Sequence, residues 1–407
     1  MMTVSASPRT VYLDNNATTA CAPDVVAEML PFFTEQFGNP SSIHAIGASV
    51  APAIRTARER LQNLLGVAHE SEIVYTSGGT ESDTTAIISA LRAYPERREI
   101  ITSAVEHHAV LTVCEHLARH EGYKLHVIPV DGQGRLDLKA YENALSENVA
   151  VVSIMWANNE TGTIFPIEHL AQMAKPYGIL FHTDAVQAVG KVPFRLSNSA
   201  IDMLSLSAHK IHGPKGVGAL YLKRGVKFRP LFRGGHQERG RRAGTENTAG
   251  IVGLGKAAEL AQAGFRDENI RVRSLRDRLE RELMALIPNT IVTGDVEQRL
   301  PNTTTIAFEF VEGEAILLML SRAGIAASSG SACTSGSLEP SHVMRAMNIP
   351  FTAAHGATRF SLSRDNTEED VDRVIAVLPG IIERLRAMSP YWSSSARAPA
   401  EFQPAYS

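Results

Sequence analysis

Short apolar runs alternate with amphipathic stretches along most of this chain, and this alternation constrains the fold more than any other feature. The apolar runs are continuous, which is typical of parallel strands buried on both faces. Helix-length segments separate them, so the sequence predicts an α/β protein with a mainly parallel seven-stranded sheet covered by helices. The predicted strands are Glu72–Tyr75, Glu99–Thr102, Lys124–Ile128, Ala150–Trp156, Ile179–His182, Met203–Ser205 and Gly218–Leu222. The predicted helices between them are Ala48–Leu65, Thr80–Arg92, Ala109–His120, Leu138–Leu145 and Ile167–Tyr177.

The regular alternation of strands and helices ends in the last third of the chain, where a long helical stretch is followed by shorter strands. This change predicts a second, smaller α+β domain, which the first residues of the chain are expected to join. The predicted segments there are a helix over 249–287, strands near 304–310 and 359–363, and a helix over 368–388. We therefore expect a large domain over 15–261, a small domain formed by 1–14 and 262–392, and a flexible tail over 393–407.

Composition narrows the class of protein. The chain has 407 residues, 44% of them hydrophobic, and a formal net charge of -3, so nothing favours a nucleic-acid partner. No apolar run is long enough for a bilayer span, and the first residues do not resemble a secretory signal. The three cysteines, Cys21, Cys114 and Cys333, are an odd and sparse set that favours a reducing compartment. We expect a cytoplasmic protein without membrane segments.

Two strand ends carry the groups that a carbonyl cofactor requires. Lys210 stands in SAHKIHGPKG after one apolar strand, and Asp184 ends another in HTDAVQ. Ligands of open α/β sheets bind beyond the carboxyl ends of the strands, so both groups are expected in one cleft. A lysine there can form an imine with an aldehyde, and a carboxylate can pair with a protonated pyridine nitrogen. The simpler alternative is a strand exit with a solvated lysine.

A phosphate group would need donors in the same cleft. The segment TSGGTES, which contains Gly79 and Thr80, is a strand end, a small-residue turn and a helix start. Free N–H groups at a helix N-terminus can bind a dianion, although an ordinary N-cap has the same pattern. His107 in VEHHA could stack on a cofactor ring, and the carboxamides of NNETG, which include Asn159, could bind the ring oxygen and a substrate carboxylate. The alternatives are a surface histidine and an Asn-Gly turn.

Cys333 lies in a stretch of small residues, ASSGSACTSGS, which is expected to be mobile. An exposed thiol on a mobile segment suits transfer between two sites, whereas a buried structural cysteine fits this context badly. Cys21 and Cys114 are expected to be structural. Arg359 lies on a predicted strand, where its guanidinium could bind a carboxylate with two parallel hydrogen bonds or simply form a surface ion pair.

Taken together, these motifs resemble the cysteine desulfurases, which belong to the fold-type I (aspartate-aminotransferase-like) pyridoxal-phosphate enzymes. The sequences of these motifs are most similar to those of the nitrogen-fixation type, NifS. The long serine-rich loop is similar to that of the subgroup with a mobile catalytic cysteine. The matching segments, between residues 12 and about 364, are YLDNNATT, FGNPSSIH, TSGGTES, VEHHAVL, NNETG, HTDAVQ, SAHKIHGPKG, GGHQERGRRAGTEN, SSGSACTSGSLEPS and RFSLSR.

The resemblance implies a role for each matching position. Lys210 binds pyridoxal 5'-phosphate covalently and moves protons, and Cys333 attacks the substrate sulfur. The other catalytic and cofactor-binding positions that it implies are His107, Gly79, Thr80, Asn159, Asp184, Gln187, Ser207, Ala208, His209 and, from the other subunit of a homodimer, Thr245. Asn159 and Arg359 hold the substrate carboxylate. Gly79 stands where relatives often have alanine, a departure expected to leave phosphate binding intact.

The implied reaction removes sulfur from L-cysteine, releases L-alanine and leaves a persulfide on Cys333. The implied partner is a scaffold protein for iron–sulfur clusters, with the clusters of nitrogenase as the implied destination, and Cys333 is a candidate [2Fe–2S] ligand shared with that scaffold. No stably bound metal is expected. Two alternatives stay open at this point: another fold-type I enzyme, such as an aminotransferase or a selenocysteine lyase, and a non-enzymatic sulfur carrier.

Overall fold

The computed structural model describes residues 9–329, 339–390 and 392. Cys333 and the 393–407 tail therefore lie outside the described residues. The strands are β1 Val11–Tyr12, β2 Ile73–Thr76, β3 Glu99–Ser103, β4 Lys124–Ile128, β5 Val149–Ser153, β6 Leu180–Asp184, β7 Met203–Ser207, β8 Gly218–Leu222, β9 Thr290–Thr293, β10 Thr303–Phe308, β11 Ile325–Ala326 and β12 Ala357–Ser361. The α-helices are α1 Pro23–Met29, α2 Pro31–Thr34, α3 Ala45–Ala48, α4 Ala51–Leu65, α5 Gly79–Ala93, α6 His108–His120, α7 Leu138–Ala144, α8 Ile167–Ala174, α9 Thr248–Leu286, α10 Gly313–Arg322, α11 His342–Ala346, α12 Phe351–Ala354 and α13 Glu368–Met388. Short 3₁₀ turns lie at Glu70–Glu72, Lys175–Tyr177, Leu196–Asn198, Ala208–Lys210 and Gln237–Gly240.

The larger sheet has the strand order β2-β8-β7-β6-β5-β3-β4. From β7 to β4 every neighbouring pair is parallel, whereas β8 runs antiparallel to both β7 and β2. The predicted seven-stranded, mainly parallel α/β sheet is therefore confirmed. Because β3 lies between β4 and β5, the chain reverses its direction of travel there, and such a switch point opens a crevice at the carboxyl ends of the strands.

Helices cover both faces of this sheet, which explains why its strands are apolar without alternation. Consecutive residues in β3, β5, β6 and β7 enter different cores: Ile101 and Val152 join the core that contains α4, α8 and the first part of α9. Their neighbours Ile100 and Val151 join the core formed by α5 and α6. Side chains of a strand point alternately to its two faces, so each strand must be apolar at every position.

A smaller antiparallel sheet, in the order β12-β10-β9, packs with α10, α13 and the second part of α9 around a separate core. Near the beginning of the chain, β1 pairs in parallel with β11, and Val11 and Leu13 lie in that same core. The predicted division at residue 261 falls inside the long helix α9, which contributes Ala258 to the larger core and Val272 to the smaller one. The domain boundary itself stays a prediction.

Two details differ from the sequence-based expectations. The predicted strand over 150–156 ends at Ser153, because the N–H of Met155 donates instead to both carboxylate oxygens of Glu106, at 2.9 and 3.0 Å. Strands β1, β9 and β11 were not predicted, because each is short and none lies in the alternation of strands and helices that revealed β2, which is no longer than β9.

Candidate active site

The strand ends at the switch point surround a cavity of about 300 Å³, a size suited to a small ligand. Its lining draws on the segments that follow β1, β2, β3, β5, β6 and β7, together with one residue of β12 from the smaller sheet. The lining residues are Asn16, Ala17, Gly79, Thr80, Asp83, His107, Met155, Ala157, Asn159, Asp184, Val186, Gln187, Ser207, His209, Lys210 and Arg359. Among the described residues, the sequence-predicted site thus converges in one place, apart from Ala208 and Thr245; Cys333 lies outside the described residues.

Lys210 ends the 3₁₀ turn that follows β7, and its amine enters the cavity. The amine donates to the main-chain oxygens of Asn16 at 2.5 Å and Ala17 at 2.7 Å. Ala208 does not line the cavity; it is fully buried, and its carbonyl accepts from the N–H groups of Ile211 and Gly213. Ala208 therefore supports the turn that aims Lys210, whereas Asn16 and Ala17 hold the amine in place.

Asp184 ends β6 with its carboxylate buried, only 7% of the residue being exposed. One carboxylate oxygen accepts from the N–H of Val186 at 2.9 Å. Burial raises the pKa of Asp184 to about 6, against the opposing effects of the Val186 hydrogen bond and the Lys210 charge. A carboxylate whose ionised form is destabilised in this way is ready to pair with a cation that enters the cavity.

The turn between β2 and α5 has the glycine-containing helix start predicted from TSGGTES, and phosphate binding there stays a prediction. Gly78 has φ 155°, in the region where glycine is favoured, and Gly79 is the first residue of α5. A Cβ on Gly79 would lie 2.8 Å from Cγ2 of Val186, so alanine at this position would require Val186 to move. Thr80, Ser207 and His209 line the same cavity, which places two hydroxyls and an imidazole near the helix N-terminus.

His107 is the N-cap of α6, and its Nδ1 accepts from the N–H of Ala109 at 3.1 Å. Burial, and then the charges of Lys210, His108 and His342, lower the pKa of His107 to about 4. The imidazole is therefore neutral at pH 7, with a face available to the cavity. His108, which had no predicted role, is exposed, and its ring lies 4.9 Å from that of His342.

Arg359 comes from β12 and is only 2% exposed. Its Nη1 donates to the main-chain oxygen of Asn159 at 2.9 Å, and its Nη2 donates to Oδ1 of Asp14 at 2.7 Å. Asn159 thus contacts Arg359 through its backbone rather than its carboxamide. The neighbouring Asn158 carboxamide braces the turn, donating to the Val105 carbonyl and accepting from the Glu160 and Thr161 N–H groups.

Thr245 lies outside the cavity of its own chain and is exposed. The loop that carries it is nevertheless anchored, because Glu238 enters the interior and pairs with Arg58 at 2.7 Å. Glu238 also accepts from the N–H of Tyr75 at 3.0 Å, and both Glu238 and Arg239 have positive φ angles, of 49° and 58°. The loop is therefore held in one strained conformation with Thr245 directed to the surface.

The two cysteines within the described residues fit a structural role. Cys114 is buried, and desolvation raises its pKa to about 12. Burial also raises the pKa of Cys21, which is partly exposed. Since the thiolate is the reactive form, neither environment activates the sulfur.

Buried carboxylates near the cavity escaped the sequence analysis. Asp83 lines the cavity from α5, and burial followed by repulsion from Asp184 raises its pKa. Burial also raises the pKa of Glu106 to about 8, although it accepts a hydrogen bond from Ser103 at 2.6 Å. Asp83 directly follows the quoted motif TSGGTES and Glu106 stands in VEHHA, yet nothing in a single sequence separates a buried carboxylate there from a solvated one.

Comparison with known proteins identifies the family of this chain. The family model described as "Aminotransferase class-V" matches residues 11–374. A curated cysteine desulfurase of Gluconacetobacter diazotrophicus is 66% identical over 396 residues, covering 97% of this chain and 99% of the relative. The cysteine desulfurase NifS of Azotobacter vinelandii is 64% identical, covering 95% of this chain and 96% of the relative. This chain belongs to the cysteine desulfurase family, within the class-V aminotransferases.

Solved structures of similar proteins agree with the fold. A "NifS-like protein" superimposes with a TM-score of 0.86 at 40% identity, covering 92% of this chain and all of the other. A structure described as SspA in complex with cysteine superimposes with a TM-score of 0.76 at 34% identity, covering 88% of this chain and 99% of the other. The family and fold class expected from the sequence are confirmed.

Proposed function

We propose that this protein is a cysteine desulfurase that uses pyridoxal 5'-phosphate and transfers the sulfur of L-cysteine to Cys333. The observation that supports this most directly is the placement of the Lys210 amine and the buried Asp184 carboxylate in one cavity beside the N-terminus of α5. A sulfur carrier without a cofactor would gain nothing from burying these groups together. The enzyme class predicted from the motifs agrees with the curated relatives at 59–66% identity.

The residues present fit the cofactor. Pyridoxal phosphate supplies an aldehyde that bonds an amine and a ring that stabilises negative charge on the substrate's α-carbon. Lys210 offers the amine, Asp184 an anion for the ring nitrogen, and His107 a neutral ring for stacking. Gly79, at the start of α5, brings backbone N–H groups close to where the phosphate would bind. Thr80, Ser207 and His209 add side-chain donors for the same group.

Substrate binding is assigned to Arg359 and Asn159. Arg359 is buried, so its guanidinium lies in a low-dielectric environment where a carboxylate is bound strongly. Asp14 and the Asn159 carbonyl fix its orientation through the hydrogen bonds of 2.7 and 2.9 Å. Lys210 lines the same cavity and can take the proton from the α-carbon of the substrate.

Sulfur transfer is assigned to Cys333, which lies outside the described residues, so its role rests on the sequence motif and on the family. Its thiolate attacks the substrate sulfur, a new S–S bond forms, and the carbon–sulfur bond of the substrate breaks. Alanine leaves with a proton on its β-carbon, and the enzyme keeps a persulfide. Cys21 and Cys114 lack an activating environment, which leaves Cys333 as the nucleophile.

A homodimer is part of this proposal. The segment from α1 to α3 exposes an unusual number of large apolar side chains, among them Leu30, Phe33, Phe37, Ile43 and Ile46. Such a cluster is typical of a protein–protein interface. A second copy covering it would also give the anchored, exposed Thr245 a neighbouring cavity to enter. Sedimentation at micromolar concentration would show a dimer, and a fully active monomer would exclude this arrangement.

The biological setting is proposed from the family rather than from the site. We propose a cytoplasmic enzyme that passes its persulfide to an iron–sulfur scaffold protein, with nitrogenase clusters as the destination. Nucleic acid and membrane are not expected partners. Among the described residues, none of the helices combines the length and apolar composition that a membrane span requires.

The purified protein tests the proposal. It should show a visible absorbance band that changes on adding L-cysteine, and it should release alanine and, with a reductant, sulfide in equal amounts. An aminotransferase would instead consume a keto acid without sulfide. A preparation that binds no pyridoxal phosphate and forms no alanine would refute the proposed function.

A further inference from the structure

A second, smaller cavity of about 50 Å³ lies behind Lys210, where the larger sheet meets the smaller one. Two lysines line it, Lys210 and Lys191, although only Lys210 also lines the cofactor cavity. Lys191 follows the turn that β6 leads into, and no motif drew attention to it. The remaining lining residues are Asn15, Thr19, Gly190, Ile211, His212, Ala261, Glu268, Asn269, Val272, Asn302, Leu362, Ser363 and Arg364.

A chain of hydrogen bonds connects the two lysines. The amine of Lys191 lies 3.3 Å from the main-chain oxygen of Gln187 and 3.4 Å from its side-chain oxygen Oε1. The other end of that amide, Nε2, donates to the carbonyl of Asn16 at 2.9 Å. The same carbonyl accepts from the amine of Lys210. Lys191 therefore contacts the acceptor end of the Gln187 amide, whose donor end is turned toward Asn16 beside the cofactor cavity.

Holding Lys191 at this position has an electrostatic cost. Burial, followed by the charge of Lys210, lowers the pKa of Lys191 to about 7. The nearby acidic groups are engaged elsewhere, because Glu268 pairs with Arg364 at 3.6 Å and Asp365 lies 3.6 Å from His212. The titratable groups that surround Lys191 from the neighbouring elements are Lys210, His209, His212, Glu268, Arg364 and Asp365. A half-buried lysine kept beside another cation is a candidate for a functional role.

We propose that Lys191 is a positioning residue that orients the Gln187 amide toward the cofactor and adds a second positive charge behind Lys210. This inference rests on the proposed function, since it assigns Lys191 to the pyridoxal-phosphate site. A cation at Oε1 favours the amide orientation in which Nε2 points away from Lys191, as it does here, where Nε2 donates to the Asn16 carbonyl beside the cavity and would be available to a ring oxygen of the cofactor. The same positive charge disfavours protonation of the nitrogen through which Lys210 would be bonded to the cofactor.

Both effects predict the same change in a pH titration of the bound cofactor's visible absorbance. Lys191→Met removes the charge and the donor while keeping an unbranched side chain, and we expect it to raise the apparent pKa of the absorbance change by about one unit. Lys191→Arg keeps the charge and should titrate close to the wild type. Lys139→Met, which removes an exposed lysine on α7, is the matched control and should also behave as the wild type.

A double-mutant cycle tests the contact with Gln187. In a Gln187→Leu background, Lys191→Met should shift the apparent pKa less than in the wild type, because the amide is no longer there to be oriented. Lys191→Gln, which keeps a donor without the charge, repeats the test should the methionine variant fold poorly, and it should also raise the apparent pKa.

The inference is overturned if Lys191→Met or Lys191→Gln binds the cofactor and titrates like the wild type, or if Lys191→Arg shifts as much as Lys191→Met. Lys191 would then only cap the carbonyl of Gln187. Failure of the proposed function would look different, because wild-type protein itself would then show no cofactor absorbance to titrate.

Discussion

The seven-stranded and three-stranded sheets of this protein contribute unequally to the cavity. The segments that follow the larger sheet's strands supply the groups assigned to the cofactor, including Lys210, Asp184 and His107. The smaller sheet supplies one lining residue, Arg359, and the chain that leads to Cys333 leaves β11, which pairs with β1 and contributes Ile325 to the core of the smaller sheet. The difference indicates a division of roles, in which the larger sheet binds the cofactor and the smaller one contributes to substrate binding and sulfur transfer. That division is open to test, because each half can be damaged separately.

The largest expected effect separates sulfur transfer from cofactor binding. Cys333→Ala should keep the cofactor's absorbance and its response to L-cysteine, yet lose alanine formation by more than about a thousandfold, since no nucleophile accepts the sulfur. Steady-state alanine assays beside absorbance spectra measure both. Cys21→Ala is the matched control and should turn over normally. Near-normal turnover by Cys333→Ala would remove Cys333 from the mechanism.

A smaller effect is expected for Arg359→Gln. The substrate carboxylate loses its charged partner, which costs about 2–3 kcal/mol, so KM for L-cysteine should rise by about a hundredfold. The amount of bound cofactor should stay unchanged, because Arg359 belongs to the other sheet. Arg92→Gln, at an exposed position near the end of α5, is the control. Loss of cofactor from Arg359→Gln, rather than weaker substrate binding, would break the proposed division.

The pH dependence of cofactor affinity sharpens the role of the larger sheet. Pairing with the ring nitrogen requires ionised Asp184, whose pKa is raised to about 6. As the pH falls through 6, the carboxyl group becomes protonated before the cofactor binds, so affinity should weaken by up to about tenfold per pH unit. His107 and His209, whose pKa values are lowered to about 4, stay neutral across most of this range.

The cofactor's phosphate also titrates near pH 6, so the measurement needs a reference that lacks the carboxylate. Asp184→Asn provides it: the variant should bind more weakly at pH 8 and show a shallower dependence below pH 6. Equilibrium titration of the apoenzyme with pyridoxal phosphate gives both curves. Identical slopes for the two proteins would mean that Asp184 does not control the affinity.

The sequence predicted the functional side chains at the strand ends well, but it did not predict the residues that hold those side chains in place. Lys210, Asp184 and Gly79 stand at strand-to-turn boundaries, where the chemistry of the side chain and its position along the chain point to the same edge of a sheet. Asn16 and Ala17 act through backbone carbonyls, which every residue possesses, so their side chains gave no signal. Pairs of residues that are distant in sequence and contact each other only in the folded protein also gave no signal.

Arg359 and Asp14 illustrate such a pair, since 345 positions separate them and only the pairing of distant strands brings them together. Lys191 was missed for a related reason: the burial that lowers its pKa comes from α9 and the segment after β12, not from its own neighbours. These two features therefore depend on packing between distant parts of the chain, which a local sequence pattern does not contain.

The central claim is that the cavity at the carboxyl ends of the larger sheet binds pyridoxal phosphate covalently through Lys210. Borohydride reduction of the purified enzyme, followed by proteolysis and mass spectrometry, fixes the cofactor to whichever amine carries it. The account predicts the cofactor's mass on the peptide that contains Lys210, and no such mass in Lys210→Ala. A cofactor mass on the peptide that contains Lys191, or on any other lysine peptide, would contradict it.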